Sequence, residues 1–309
     1  MNANDANASY NAYKKSFDNV QAERDITKNG FRIIETQVFD IDHAALGLLS
    51  LIPAIHPDLN RLALFFVRKN GSVAFKTDDL MGNTWLKGQT IQTTLDVSSL
   101  AFRDLNGDGS DDIVILCVCK NESGPYTDKT YQVADVLFQS KEGFYRDPRI
   151  SDKINRFDMN KTDWAVIAFV RDGISMEFLF TAKTLDELLA NGFKKISFQS
   201  FPERFEKFGV VDVVSGYFTM AGQNYLMVYL IDQNGKICWN FQPMQDHVNF
   251  YAIESLSFPD IDKDGNKDFL IIAQYADYDA KGKVVIKKDY NLYVQRSGYF
   301  QEDKEWRLP

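Results

Sequence analysis

Three stretches in the first half of this chain return, in the same order, in the second half. Asn29-Gly-Phe-Arg-Ile-Ile-Glu-Thr-Gln-Val-Phe39 reappears as Asn191-Gly-Phe-Lys-Lys-Ile-Ser-Phe-Gln-Ser-Phe201, an offset of 162 residues. The stretch from Asn60 to Phe75 matches that from Asn224 to Trp239, an offset of 164. Leu100-Ala-Phe-Arg-Asp104 and the acidic loop after it match Leu256-Ser-Phe-Pro-Asp260 and its loop, an offset of 156. A chain that repeats itself in this way builds its core from recurring supersecondary units. Two related halves follow, about 29–150 and about 191–309.

Inside each half the pattern is that of strands. Leu62 to Val67 and Ser72 to Phe75 flank Asn70-Gly71, the residue pair best suited to a tight hairpin turn. Tyr225 to Ile231, Asn234-Gly235 and Ile237 to Phe241 repeat the device. Ile113 to Cys119 is expected to pair with Tyr131 to Gln139, and Phe269 to Tyr275 with Val284 to Gln295. A further hairpin is expected from Trp164 to Phe180 around Asp172-Gly173. Units of about 50 residues with three or four short strands each are the size of propeller blades. The expected fold is therefore all-β: a β-propeller of about five blades, within a range of five to seven. Residues 29–309 would form this one domain, the two halves being joined by a blade over about 151–190. The strand at Phe31 to Val38 would complete the last blade. Residues 1–28 are expected as an N-terminal tail, partly disordered or helical. One or two short helices are expected; the clearest runs from the cap Thr184 to Gly192.

The repeated loops carry the chemistry. Asp104-Leu-Asn-Gly-Asp-Gly-Ser-Asp-Asp112 and Asp260-Ile-Asp-Lys-Asp-Gly-Asn-Lys-Asp268 crowd carboxylates and amides into nine residues, each directly before an apolar strand. Hard divalent cations seek six to eight oxygens, and Ca²⁺ takes them in flexible geometry. Alternate loop residues turn their oxygens inward. Asp104, Asn106, Asp108, the carbonyl of Ser110 and Asp112 form one candidate ligand set. Asp260, Asp262, Asp264, the carbonyl of Asn266 and Asp268 form the other. Gly109 and Gly265 permit the sharp bend at the sixth position. An EF-hand would need an acid at position 12, where Ile115 and Ile271 stand, and flanking helices. About two bound Ca²⁺ ions are expected. Asp40-Ile-Asp42 and Asp158 to Asp163 lack the full pattern and are assigned no metal.

The motif Leu-x-Phe-x-Asp-x-(Asn/Asp)-x-Asp-Gly-x-x-Asp, followed by an apolar strand, resembles FG-GAP (VCBS-type) repeats such as those of integrin α-subunit propellers. The resemblance covers residues 98–120 and 254–275. It implies propeller blades with calcium held in loops between strands, and it implies no particular activity.

Composition narrows the function classes. Thirty-five basic against 43 acidic residues leave a formal charge of −8, which argues against a polyanion-binding surface and so against nucleic acid. No apolar stretch reaches the roughly 18 residues of a membrane span. The first residues lack the basic and apolar segments of a signal peptide. Cys117, Cys119 and Cys238 are too few and too poorly spaced for a zinc site. His43, His56 and His247 fall in no ligand spacing, and no nucleophile, phosphate-loop or metalloprotease motif occurs. The expected function is a calcium-stabilised binding module outside the cytoplasm (periplasmic, cell-surface or secreted), monomeric, with a protein or glycan as ligand. Extracytoplasmic calcium near millimolar would fill such loops. The alternative is a carbohydrate-active enzyme or accessory domain with its site at the central channel, for which Glu177, Glu203, Glu206 and Glu254 are the available acids.

Overall fold

Both Asn-Gly pairs turn hairpins as their backbone freedom allows. Gly71 and Gly235 adopt positive φ of 82° and 79°, and Arg68 N–H and Asp232 N–H close the turns onto the carbonyls of Ser72 and Lys236 at 2.8 and 2.9 Å. The surrounding architecture comes from a computed structural model that describes residues 3–83, 85–86, 89–90, 92–121, 129–243, 247, 249–279, 281–303 and 306. Among these residues strands dominate, in four antiparallel sheets of four or five strands and one two-stranded hairpin. The chain divides into two compact units, Met1–Ile174 and Ser175–Pro309.

The first unit begins with α1 (Ala3–Asn19) and α2 (Glu23–Lys28), followed by β1 (Arg32–Ile33), β2 (Phe39–His43), β3 (Gly47–His56), β4 (Arg61–Arg68) and β5 (Val73–Thr77). These strands form one sheet in the order β1-β3-β4-β5, with β2 sharing the edge of β3 beside β1. After the small hairpin of β6 (Trp85–Leu86) and β7 (Gln89–Thr90), the strands β8 (Gln92–Arg103), β9 (Asp112–Asn121), β10 (Thr130–Ser140) and β11 (Gly143–Arg146) form a meander, and α3 (Pro148–Arg156) and α4 (Asp163–Val170) follow. Alternation along the strands divides the core. Leu49, Leu51, Leu62, Leu64 and Phe66 pack against Ile113, Ile115, Cys117, Val133 and Leu137 of the meander. Their neighbours Ile52, Ala54, Ala63, Phe65 and Val67 face the other way and meet Tyr13, Phe17, Val20 and Ile26 of the helical layer. Both faces of β4 are thus covered, which is why it is buried from Arg61 to Val67 rather than alternating. Each large apolar side chain so buried contributes about 2 kcal/mol.

The helical layer is fastened at both ends. Lys76 Nζ donates to the carbonyls of Phe17, Asp18 and Val20 at 2.7, 2.9 and 2.9 Å, capping the C-terminal end of α1. Arg61 lies against the rings of Tyr10 and Tyr13, at 5.4 and 5.2 Å from their centroids, and donates to the Asn83 carbonyl at 3.0 Å. The N-terminal segment expected as a tail is therefore, over its described residues, a docked layer. At the far edge of the meander Asn155 imitates a strand. Its amide accepts from Ala134 N–H at 2.9 Å and donates to Ala134 C=O at 2.7 Å, and Asn160 donates to the Gln132 carbonyl at 2.7 Å.

The second unit repeats the plan. The helices α5 (Glu177–Thr181) and α6 (Leu185–Ala190) precede β12 (Lys194–Lys195), β13 (Phe201–Phe205), β14 (Gly209–Met220), β15 (Gln223–Ile231) and β16 (Ile237–Phe241). Their sheet runs β12-β14-β15-β16, with β13 beside β14. Then β17 (Phe250–Ser257), β18 (Phe269–Tyr278), β19 (Val284–Arg296) and β20 (Tyr299–Glu302) form the second meander in chain order. An aromatic lattice fills this unit. Phe241 lies 4.7, 4.9 and 5.0 Å from Phe269, Tyr293 and Phe300, and Phe205 lies 5.3 Å from Phe258. The short helix capped by Thr184 is present, its hydroxyl accepting from Glu187 N–H at 3.2 Å.

Three expectations are corrected. The hairpin and blade assigned to about 151–190 do not form, because α3 to α6 occupy that stretch. The run Asp-Trp-Ala-Val-Ile-Ala-Phe-Val is apolar nearly all round, so it lacks helical periodicity; Thr162 nevertheless caps it as a helix by accepting from Ala165 N–H at 3.1 Å. The number of helices also exceeds one or two: six α-helices occur among the described residues. Finally, the strand near Phe31 completes its own sheet, with Arg32 opposite Ile55 of β3, rather than a last blade.

Candidate metal centres

Each acidic loop joins two neighbouring strands of a meander, β8 to β9 in the first unit and β17 to β18 in the second. The loops are wound by their own side chains. Asp104 accepts the N–H groups of Gly107 and Gly109 at 2.7 and 2.9 Å, Asn106 that of Asp108 at 3.0 Å, and Asp108 that of Ser110 at 2.8 Å. In the second loop Asp260 accepts from Asp264 and Gly265, both at 3.1 Å, Asp262 from Asp264 at 3.3 Å, and Asp264 from Asn266 at 2.8 Å. Gly109 and Gly265 take φ of 84° and 85°, the left-handed bend that the sixth position requires. In the second loop the side chains that converge are those of the first, third and ninth positions, Asp260, Asp262 and Asp268.

The ninth position is different in kind. Asp112 and Asp268 are fully buried. Asp112 accepts Leu105 N–H at 3.0 Å and Gln139 N–H at 2.8 Å; Asp268 accepts Ile261 N–H at 2.8 Å and Gln295 N–H at 2.9 Å. The side chains of the same two glutamines extend the clasp. Gln139 donates to the Asp111 carbonyl at 2.9 Å and accepts Ala44 N–H at 2.7 Å. Gln295 donates to the Lys267 carbonyl at 2.6 Å and accepts Lys207 N–H at 2.8 Å. Each loop is thereby tied to strand β10 or β19 and to the turn of the preceding hairpin, β2–β3 or β13–β14. Sequence reasoning did not find Gln139 and Gln295. Their separation of 156 residues, the same as that of the loops, was the available signal.

Electrostatics follow the geometry. Burial pushes the carboxyls of Asp112 and Asp268 above the usual carboxylate range, against the pull of the N–H groups they accept. The N–H groups of Ser110 and Asn266 hold Asp108 and Asp264 below it. Asp260, Asp262 and Asp268 each present a carboxylate oxygen, the three lying within 4.8 Å of one another. Oxygen donors at that mutual distance match a hard cation bound at about 2.3–2.6 Å. The first loop carries the amide of Asn106 where the second has Asp262. Each carboxylate keeps further lone pairs beyond those given to N–H groups, so the triad of the second loop fits such an ion, whereas Asp104, Asp108 and Asp112 of the first loop do not bring three carboxylate oxygens within the same distance. Asp40, Asp42 and the stretch 158–163 lie apart from these loops in sequence and take other roles; Asp40 accepts from Ser50 Oγ at 2.7 Å.

The remaining candidates are engaged in structure. His43 is buried in the β2–β3 turn, accepting from Ala45 and Leu46 N–H at 3.2 and 3.1 Å. His56 packs edge-on to Tyr13 and Phe31, and His247 stacks on Tyr275 while meeting Asp289 at 2.8 Å. Glu203 pairs with Lys267 Nζ at 2.7 Å, Glu206 accepts Lys267 N–H at 2.8 Å, and Glu254 pairs with Lys288 at 2.5 Å. Glu177 opens α5. Cys117, Cys119 and Cys238 are free thiols. No helix among the described residues is long and apolar enough to cross a membrane.

No family model matches the chain, and no curated protein sequence matches it. Among solved structures it is similar to the exo-inulinase of Aspergillus awamori, with 11% identity and a TM-score of 0.27, over 87% of this chain and 50% of that one. The chain thus spans half the length of that enzyme, and the overlap is too loose to carry fold or activity across.

Proposed function

We propose that the chain is an extracytoplasmic binding module of the propeller kind, its four sheets serving as blades and its two acidic loops each holding a calcium ion. One observation carries the reading: two loops 156 residues apart share not only a spacing but one hydrogen-bonding plan, clasp glutamine included. A solvated turn would not need the same buried aspartate and glutamine twice. The resemblance of both loops to FG-GAP repeats supports the same conclusion. The fifth blade is not retained, because its stretch is helical. The ligand is taken to be a protein or glycan.

In this reading Asp104, Asn106, Asp108, the Ser110 carbonyl and Asp112 hold one ion. Asp260, Asp262, Asp264, the Asn266 carbonyl and Asp268 hold the other. The ion supplies charge neutralisation and a cross-link. Asp112 and Asp268 connect that cross-link to the sheet, since the same carboxylates accept the N–H of Gln139 and Gln295. Calcium near millimolar outside the cytoplasm suits sites of this type, which accounts for the assigned location.

Calorimetric titration with Ca²⁺ after chelation tests the proposal. Two ions per chain are expected, one lost in Asp108→Ala and the other in Asp264→Ala, together with a lower unfolding temperature in chelator. Wild-type protein that takes up no calcium at millimolar concentration would overturn it.

A further inference from the structure

The two nine-residue loops differ at five positions, of which the third alone changes a candidate side-chain ligand, and they differ again just after the clasp glutamine. The third loop residue is Asn106 in the first unit and Asp262 in the second, and the residue after the clasp glutamine is Ser140 in the first and Arg296 in the second. The candidate ligand positions therefore hold three carboxylates in the first loop (Asp104, Asp108 and Asp112) and four in the second (Asp260, Asp262, Asp264 and Asp268). The extra charge is met where it arises. Arg296 Nη1 donates to Asp262 Oδ2 at 2.8 Å and lies 3.8 Å from Asp264 Oδ2. The same nitrogen donates to the Gln295 carbonyl at 3.1 Å, which holds the guanidinium on the side of the loop. Ser140 instead donates to the Gly143 carbonyl at 3.1 Å, within its own strand turn. With Arg296 counted, the second set falls from four net negative charges to three, equal to the first. A substitution that adds a carboxylate and another that adds a cation onto it form a compensated pair.

We propose that Arg296 is the resident counter-ion of the second loop, and that a divalent cation enters this loop only by displacing the guanidinium from Asp262. The inference rests on the calcium reading of both loops. Its physical content is competition. A guanidinium and a dication on the same carboxylates repel each other, and Asp262 cannot direct the same oxygen at both. The first loop, with an amide at this position, has no displacement to make. It fills first, and the second loop responds at higher calcium. The pair is partly open to water, with 36% of the Arg296 side chain exposed. An exposed pair of this kind weakens an entering ion by about two- to five-fold.

The test uses the whole chain and calcium chloride. Calorimetry of the chelated wild type is expected to show two steps, the weaker of which disappears in Asp264→Ala. Arg296→Ser should tighten that weaker step by about two- to five-fold and leave unchanged the step lost in Asp108→Ala. Asp262→Asn/Arg296→Ser, which gives the second loop the first loop's third residue and the residue after its clasp glutamine, should move the weaker step toward the stronger one, the loops still differing at Gly107/Lys263 and Asp111/Lys267. The proposal is overturned if Arg296→Ser leaves the weaker step in place, or if the weaker step is the one that Asp108→Ala removes. Melting in chelator reads the counter-ion role without calcium. Arg296→Ser should melt about 1–3 °C below wild type, and Asp262→Asn/Arg296→Ser should recover the difference. Equal melting of wild type and Arg296→Ser would remove Arg296 as counter-ion. Absence of calcium heat in every variant would overturn the calcium reading and the displacement step with it, leaving the melting series to decide the role of Arg296.

Discussion

Replacing Gln139 with methionine isolates the clasp. The two side chains have similar length and volume, so the change removes polar contacts without opening a cavity. Two good hydrogen bonds are lost, to the Asp111 carbonyl at 2.9 Å and from Ala44 N–H at 2.7 Å, with a long third one to the Asp42 carbonyl at 3.5 Å. The main-chain bond from Gln139 N–H to Asp112 at 2.8 Å is kept, because it does not depend on the side chain. Each net bond is worth about 1 kcal/mol. Ala44 and Asp111 lie at the surface, so water can partly replace the lost partner. The expected destabilisation is therefore about 2 kcal/mol rather than the larger penalty of two orphaned groups. For a unit of this size that lowers the melting temperature by roughly 4–8 °C. Urea unfolding followed by tryptophan fluorescence and by circular dichroism measures it. Gln295→Met should cost at least as much, since Gln295 is fully buried and its amide also reaches Glu206 at 3.2 Å. A Gln139→Met protein within 0.5 kcal/mol of wild type would show that the clasp is incidental to stability.

Two further outcomes follow from buried charges. Asp135 is buried, accepts from Ser151 Oγ and from Met81 N–H at 2.6 Å, and has its carboxyl raised to about 6, chiefly by burial. A raised carboxyl binds its proton more tightly in the folded state, so its contribution is present below the unfolded value of 3.8 and is lost as pH rises through 6. Relative to Asp135→Asn, the wild type should lose about 2 kcal/mol between pH 4 and pH 7; a pH-independent difference in urea unfolding would count against this. Lys76→Met removes three charge-assisted bonds from the end of α1. It should destabilise by about 1–2 kcal/mol and make the N-terminal helix the first site of limited proteolysis, whereas unchanged cleavage kinetics would contradict the capping role.

What the sequence disclosed and what it concealed divide along a physical line. The Asn-Gly hairpins, the Thr184 cap and the acidic loops are local: the residues that specify them are neighbours in the chain. The clasp is not local. Gln139 meets Asp112 only because β9 and β10 pair with Leu137 opposite Ile113, a register that no short window contains. The segment from Trp164 to Phe180 misled for another reason. An apolar run followed by Asp-Gly resembles a buried strand and its turn, while α4 is apolar all round because α3 and the strands β8 and β9 cover much of it. The deciding signal was the Thr-Asp pair just before the run. Asp262 and Arg296 show the same division. The extra aspartate was visible in the loop, and its partner became visible only when β19 ran alongside.

The amide of Asn155 has an effect on the course of the chain. By completing the ladder beside Ala134 it allows the last strand of the meander, β11, to stop after four residues. A full-length strand there would have spent the next stretch of polypeptide on sheet. One side chain takes its place, and the polypeptide is released early enough to build two helices before the second unit begins.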